Sequence, residues 1–202
     1  MEAHTGARPS RFILDVTARK SAGAGPVRLD LPRCRITLLA MSQTVNAPAA
    51  RVVIRTVLIT TDFSELANRA LPSAAALLPN GGRIHLLNVQ HPRCLPSGQY
   101  HQGPWDAEGQ TAHREHIKAC QDRLTALARG AGFGPGIEQT VEVIESQDAG
   151  KTIVAVATKL AADVICLSSH GYTGFRAIVL GSVAEAVLAQ STCPVFIIRQ
   201  TG

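Results

Sequence analysis

The chain has 202 residues, enough for one sizeable domain with an appendage and too few for two ordinary domains. Its formal charge of +5 sits at the start: residues 1–40 hold seven Lys/Arg against three Asp/Glu, and residues 41–202 hold 13 against 12. A near-neutral body with 4% aromatic residues gives no support for groove reading or base stacking, so no nucleic-acid partner is expected.

Five cysteines, at positions 34, 94, 120, 166 and 193, are odd in number, widely spaced and without a C-x-x-C pair. That pattern predicts reduced thiols in a cytoplasmic protein and no metal site, with Cys166 a small core residue inside an apolar run. No run approaches the roughly 20 apolar residues that a membrane span requires, so no membrane partner is expected.

The elements follow in chain order. Residues 1–40 carry scattered apolar side chains with Gly and Pro punctuation and no sustained period. They lack the continuous apolar core of a secretory signal, and a transit peptide fits only a little better. Met41 begins a short polar lead into a strong strand, so the preceding residues read as an upstream-start extension. A poorly ordered extension over residues 1–50 is expected, followed by one domain over residues 51–202.

"TVLIT" (Thr56 to Thr60) is a β-branched run suited to a strand buried on both faces. "SELANRALPSAAALL" places Leu66, Ala70, Ala74 and Leu77 on helical spacing, with Pro72 a warning of a kink. "RIHLLNV" is the second predicted strand, entered from the turn "PNGG". The Pro- and Gly-rich stretch from Gln90 to Gln110 reads as a long connection, a flexible flap. An amphipathic helix follows, with Ile117, Cys120, Leu124 and Leu127 on one stripe. Strand "IEQTVEVIES", helix "AGKTIVAVATKLA", strand "DVICL", helix "VAEAVLAQS" and strand "CPVFIIR" complete the chain.

Five strands interleaved with four helices predict an α/β fold, a doubly wound, mostly parallel sheet with helices on both faces. Ligands of such sheets bind beyond the carboxyl ends of the strands, where neighbouring connections leave to opposite faces. Two loops are therefore informative: "TDFSE" after the first predicted strand and "SSHGYTGFRAIVLGSVAE" after the fourth.

Ser182 with Glu185, and Asp62 with Glu65, have the spacing of a helix capping box. A plain structural reading makes Asp62 and Ser182 caps and the glycines turn residues. The second loop nevertheless spends Gly171, Gly174 and Gly181 together with Ser168, Ser169 and Thr173, more than a short connection needs. Glycines let backbone amides converge on a ligand, and a helix amino end at Gly181 and Ser182 adds partial positive charge, a combination suited to phosphate. From the residues alone, capping and phosphate binding both stay open.

Over about Thr56 to Arg199 the chain resembles a universal stress protein domain, whose motif is Gly, two residues, Gly, nine residues, Gly, then Ser or Thr. On "SSHGYTGFRAIVLGS" Gly171 matches the second glycine, and Gly181 with Ser182 match the end. Ser168 stands at the first glycine, and Tyr172 stands where many members carry Lys or Arg. "TVLITTDFSELANRAL" resembles the family's opening strand and helix, and "LGSVAEAVL" with "CPVFIIR" its closing stretch.

The resemblance implies ATP, with Mg, as ligand. Asp62 would bond the adenosine, Val89 would contact the adenine, and Gly171, Gly181 and Ser182 would hold the phosphates, within a set that also includes Thr60, Ser168, Gly174 and Val183. It further implies a homodimer through the last strand, an apolar segment that would otherwise leave an open edge.

"AGKT" is not a Walker A loop, because Glu145 falls where its first glycine belongs. His170 reads as a solvated loop residue, and His91, His101 and His113 with Cys94 match no strong ligand spacing. With no nucleophile elbow and no paired carboxylates, no turnover beyond slow ATP hydrolysis is expected. The expected function is a nucleotide-dependent stress-response regulatory module. The alternatives are a dimeric scaffold that binds no nucleotide and a flavodoxin-like redox protein.

Overall fold

The computed structural model describes residues 13–17, 35–38, 53–68, 70–95, 97–99, 101–168 and 180–198. In chain order the elements are β1 (Ile13–Thr17), β2 (Arg35–Leu38), β3 (Thr56–Thr60), α1 (Glu65–Asn68), α2 (Ala70–Ala75), β4 (Gly82–Gln90), α3 (Ala107–Gly130), β5 (Ile137–Glu145), α4 (Ala149–Lys159), β6 (Val164–Ser168), α5 (Ser182–Gln190) and β7 (Val195–Ile198).

The five expected strands form the parallel series β7-β6-β3-β4-β5. Each of β3, β6 and β7 is a short apolar run because helices cover both faces. On one face Val57, Ile59, Ile84, Leu86, Cys166 and Phe196 meet Leu71 and Ala74 of α2 and Leu124 and Ala128 of α3. On the other, Leu58, Leu87, Ile165, Leu167 and Ile197 meet Ile153 and Val156 of α4 and Val187 of α5. The alternation along β3 assigns odd and even residues to opposite layers, as a period of two requires. Each fully buried Leu or Ile contributes about 1.5–3 kcal/mol.

The helix predicted after β3 is described as α1 and α2, with Arg69 between them outside the described residues, and Pro72 lies within α2. Its buried stripe is Ala67, Leu71, Ala74 and Leu78, so Leu66 and Leu77 are only partly buried. Ala74 is buried as predicted, Leu66 and Leu77 pack against the same core, and the side chain of Ala70 lies outside the described residues.

The extension expected to lack order supplies β1 and β2. β1 lies parallel to β7, in the register Ile13↔Val195 to Val16↔Ile198, and β2 is antiparallel to β1. Neither segment has a hydrophobic period long enough to announce a strand. What they gain is a backbone partner, the outer edge of β7, which no local window of sequence reveals. The edge of β7 that the expected homodimer would cover is paired with β1 of the same chain.

His85, on β4, is 8% exposed. Its Nδ1 is 2.7 Å from Thr140 Oγ1 and its Nε2 is 3.2 Å from Glu142 Oε2, off the angle of a hydrogen bond. Burial lowers its pKa from the ordinary histidine value, with Glu142 opposing and Lys159 adding to the shift. Among the described residues no helix is long and apolar enough to cross a membrane.

Candidate functional site

β3 and β6 are neighbours in the sheet, and the chain leaves them in opposite directions. After β3 it enters α1 and α2 on the layer shared with α3, and after β6 it enters α5 on the layer shared with α4. That is the switch point at which an open parallel sheet forms a crevice. The register aligns Ile59 with Cys166 and Thr60 with Leu87, so the next residues, Thr61 with Ser168 and Asp62 with Val89, lie at one level along the rim.

The β3–α1 loop is fastened by its own polar groups. Ser64 N–H donates to Asp62 Oδ1 at 3.0 Å, closing an Asx turn, and Ala67 N–H donates to Ser64 Oγ at 3.2 Å. Ser64 therefore caps α1, and the reading of Asp62 as the cap is corrected. The spacing placed the cap two residues early because Asp62 turns the loop before the helix begins. Its carboxylate stays at the rim, half-buried.

Between them Phe63 adopts φ 64°, a left-handed conformation that costs a bulky residue about 1–3 kcal/mol. Several contacts hold it there. Its side chain is buried, its N–H donates to Thr61 Oγ1 at 2.9 Å, and Arg123 stacks over the ring at 4.5 Å while donating to its carbonyl at 3.2 Å. Thr61 in turn donates through Oγ1 to Asn68 Oδ1.

Beneath the rim, buried Asn88 donates from Nδ2 to the Thr61 carbonyl at 2.7 Å and accepts from Gln90 Nε2 at 2.7 Å. None of Thr61, Phe63, Asn68, Asn88, Gln90 and Arg123 was predicted as a site residue. The available signal was Asn88, an amide at a core-facing position of an otherwise apolar strand, which must find a partner.

Val89 follows. A strand residue sends its N–H and C=O to the same edge, and successive residues alternate. The Leu87 carbonyl accepts from Thr61 N–H on the β3 side, and the Gln90 carbonyl accepts from Ser146 N–H on the β5 side. The Val89 main-chain pair therefore points toward β3, past Thr60, where that strand has ended. Its side chain packs against the α4–α5 layer.

On the other wall, Ser168 ends β6, paired with Ile198 of β7. Gly171 and Gly174 lie outside the described residues. Gly181 is the N-cap of α5, with φ −66° and ψ 152°, and Ser182 is the first helical residue. The predicted Ser182–Glu185 capping box is corrected: Gly181 is the N-cap, and among the described residues no side-chain hydrogen bond caps this end. With Gly181 at the cap position, the Ser182 hydroxyl is one residue too far along to fold back on the amides. Val183 is 40% exposed. The strand ends thus offer a carboxylate and a main-chain donor and acceptor, and α5 offers a helix amino end with its partial positive charge.

Other sequence features acquire structural roles. Gly150 of "AGKT" is a packing glycine, since a Cβ there would lie 2.5 Å from Ala186 Cβ on α5. Trp105 stacks between His101 and His113 at 3.9 and 5.2 Å, and His113 contacts Glu145, so the expected flexible flap is tied to the end of β5. Burial raises the thiols of Cys94, Cys120 and Cys166. A hollow of about 970 Å³ bounded by Ile54, Leu77, Pro79 and Arg83 lies at the opposite end of the sheet, by the strand starts, where this architecture does not place ligands.

Residues 54–199 match the sequence profile of the universal stress protein family. The chain belongs to that family. A stretch of 65 residues is 38% identical to the universal stress protein MJ0531 of Methanocaldococcus jannaschii, and it covers 32% of this chain and 38% of that relative. The match therefore spans less than half of the relative's length. The fold is similar to that of the protein MJ0577, with 24% identity, a TM-score of 0.57 and coverage of 74% of this chain and 99% of that one. It is also similar to that of a universal stress protein in complex with cAMP, with 20% identity, a TM-score of 0.48 and coverage of 74% and 99%. The doubly wound architecture described above is the universal stress protein fold, to which this chain adds β1 and β2.

Proposed function

We propose that this universal stress protein binds ATP with magnesium at the β3–β6 crevice and acts in the cytoplasm as a nucleotide-dependent regulatory module of the stress response. The observation that carries the reading is the amino end of α5 at Gly181 and Ser182, which among the described residues no side-chain hydrogen bond caps, together with Asp62 and Val89 past the paired ends of β3 and β4. Amides and a hydroxyl at a helix amino end suit phosphate oxygens. The Asp62 carboxylate suits ribose hydroxyls, and the Val89 N–H and C=O suit the N1 acceptor and N6 donor of adenine. Guanine presents the reverse pattern and would meet donor with donor. These groups bind and screen charge rather than activate a water, so hydrolysis is at most slow. A homodimer through β7 would require β1 to vacate that edge.

Calorimetric titration with ATP and magnesium tests the site, comparing the natural chain with Gly181→Val. The Gly181 backbone angles are open to any residue, so valine brings no backbone strain there while its branched side chain would intrude on the phosphates. The expected result is at least a tenfold loss of affinity, about 1.4 kcal/mol. Equal, weak heats for both proteins would remove the assignment and favour the scaffold reading, and a yellow purified protein would favour the flavin one.

A further inference from the structure

We propose that the β1–β2 pair is an intramolecular cap that keeps the β7 edge from pairing with a second copy of this chain. The inference stands apart from the nucleotide reading and would survive its failure.

β7 consists of four residues, Val-Phe-Ile-Ile, all buried, and it bonds to β6 along one edge only. Its other edge carries main-chain donors and acceptors that any extended segment can satisfy. A two-fold axis through such an edge sets it antiparallel to itself, so an uncharged strand like this one is self-complementary in a pair of copies. In this chain β1 occupies the edge along the length of β7. β2 then closes the new edge with an antiparallel partner and becomes the outermost strand.

The connections on either side of β2, residues 18–34 and 39–55, are far longer than the few residues of a tight hairpin. The pair is therefore not fixed by a local turn, and its place is set by β7. Tethered to the same chain, β1 meets that edge at an effective concentration on the order of millimolar. A second copy at micromolar concentration loses the competition unless its contact is intrinsically far stronger.

The test compares the full-length chain with the full-length double variant Leu14→Pro/Asp15→Pro. Consecutive strand residues point their N–H groups to opposite edges, so one of the two prolines removes a donor facing β7. Light-scattering masses across a micromolar dilution series are expected to show a monomer for the natural chain and a doubled mass for the variant. Equal masses for the two overturn the proposal. Hydrogen exchange at Val195 to Ile198 of the natural chain gives a second reading that does not depend on the variant folding. Protection independent of protein concentration is expected, and protection that grows with concentration overturns the cap.

Discussion

Asp62 does two jobs that one substitution separates. Its Oδ1 accepts from Ser64 N–H and shapes the loop, while its charge is the only one that the described crevice rim offers to a sugar. Asp62→Asn keeps an acceptor for the turn and drops the charge. Urea unfolding of this variant should match the natural chain within about 0.5 kcal/mol. Its ATP affinity should fall by about 1.5–3 kcal/mol, the worth of hydrogen bonds to a charged group, as read by titration calorimetry. Asp62→Ala should lose stability as well, because the turn goes with the side chain. Asp62, Gly181 and Ser182 were legible in the sequence because their chemistry is local to a motif. Phe63 and Arg123 were not, since a left-handed backbone angle and a cation over a ring separated by sixty positions depend on how α3 crosses the loop.

Among the elements, α4 and α5 show how closely two helices approach when one offers a glycine. At Gly150 a side chain would drive into Ala186, so Gly150→Val should destabilise the domain by about 1–3 kcal/mol through overpacking. The loss should appear as a lower urea midpoint at unchanged slope. Because α5 presents the proposed phosphate end, the same variant should weaken ATP binding, which thermal shift with and without nucleotide would detect. The strands themselves were plain in the sequence, each an apolar run of nearly the right length. The helix stripe after β3 was legible at Ala74, while Leu66 and Leu77 are only partly buried beside it. The capping box failed because spacing alone does not say which residue is the last outside the helix.

For the molecule as a whole, stability should depend on pH through His85. Burial holds its folded-state pKa below the ordinary value near 6.5, so on acidification the unfolded chain takes up the proton first. The contribution is complete above the ordinary histidine range. It declines as the pH falls toward the lowered folded-state value, and it is flat below that. Urea midpoints measured from about pH 8 to about pH 5 should show this decline in the natural chain, and His85→Gln should lack that part of it. The doubly wound sheet was legible from alternation of strands and helices, whereas the two added strands were not. Their partner lies at the far end of the chain, beyond the reach of any periodic signal.

That distance bears on how the protein is born. β1 leaves the ribosome well before β7, the strand it lies against. At about 5–20 residues per second, β1 waits on the order of ten seconds or more for its neighbour to be translated. Through that interval the growing sheet has no finished flank on this side, and its completion waits for β7.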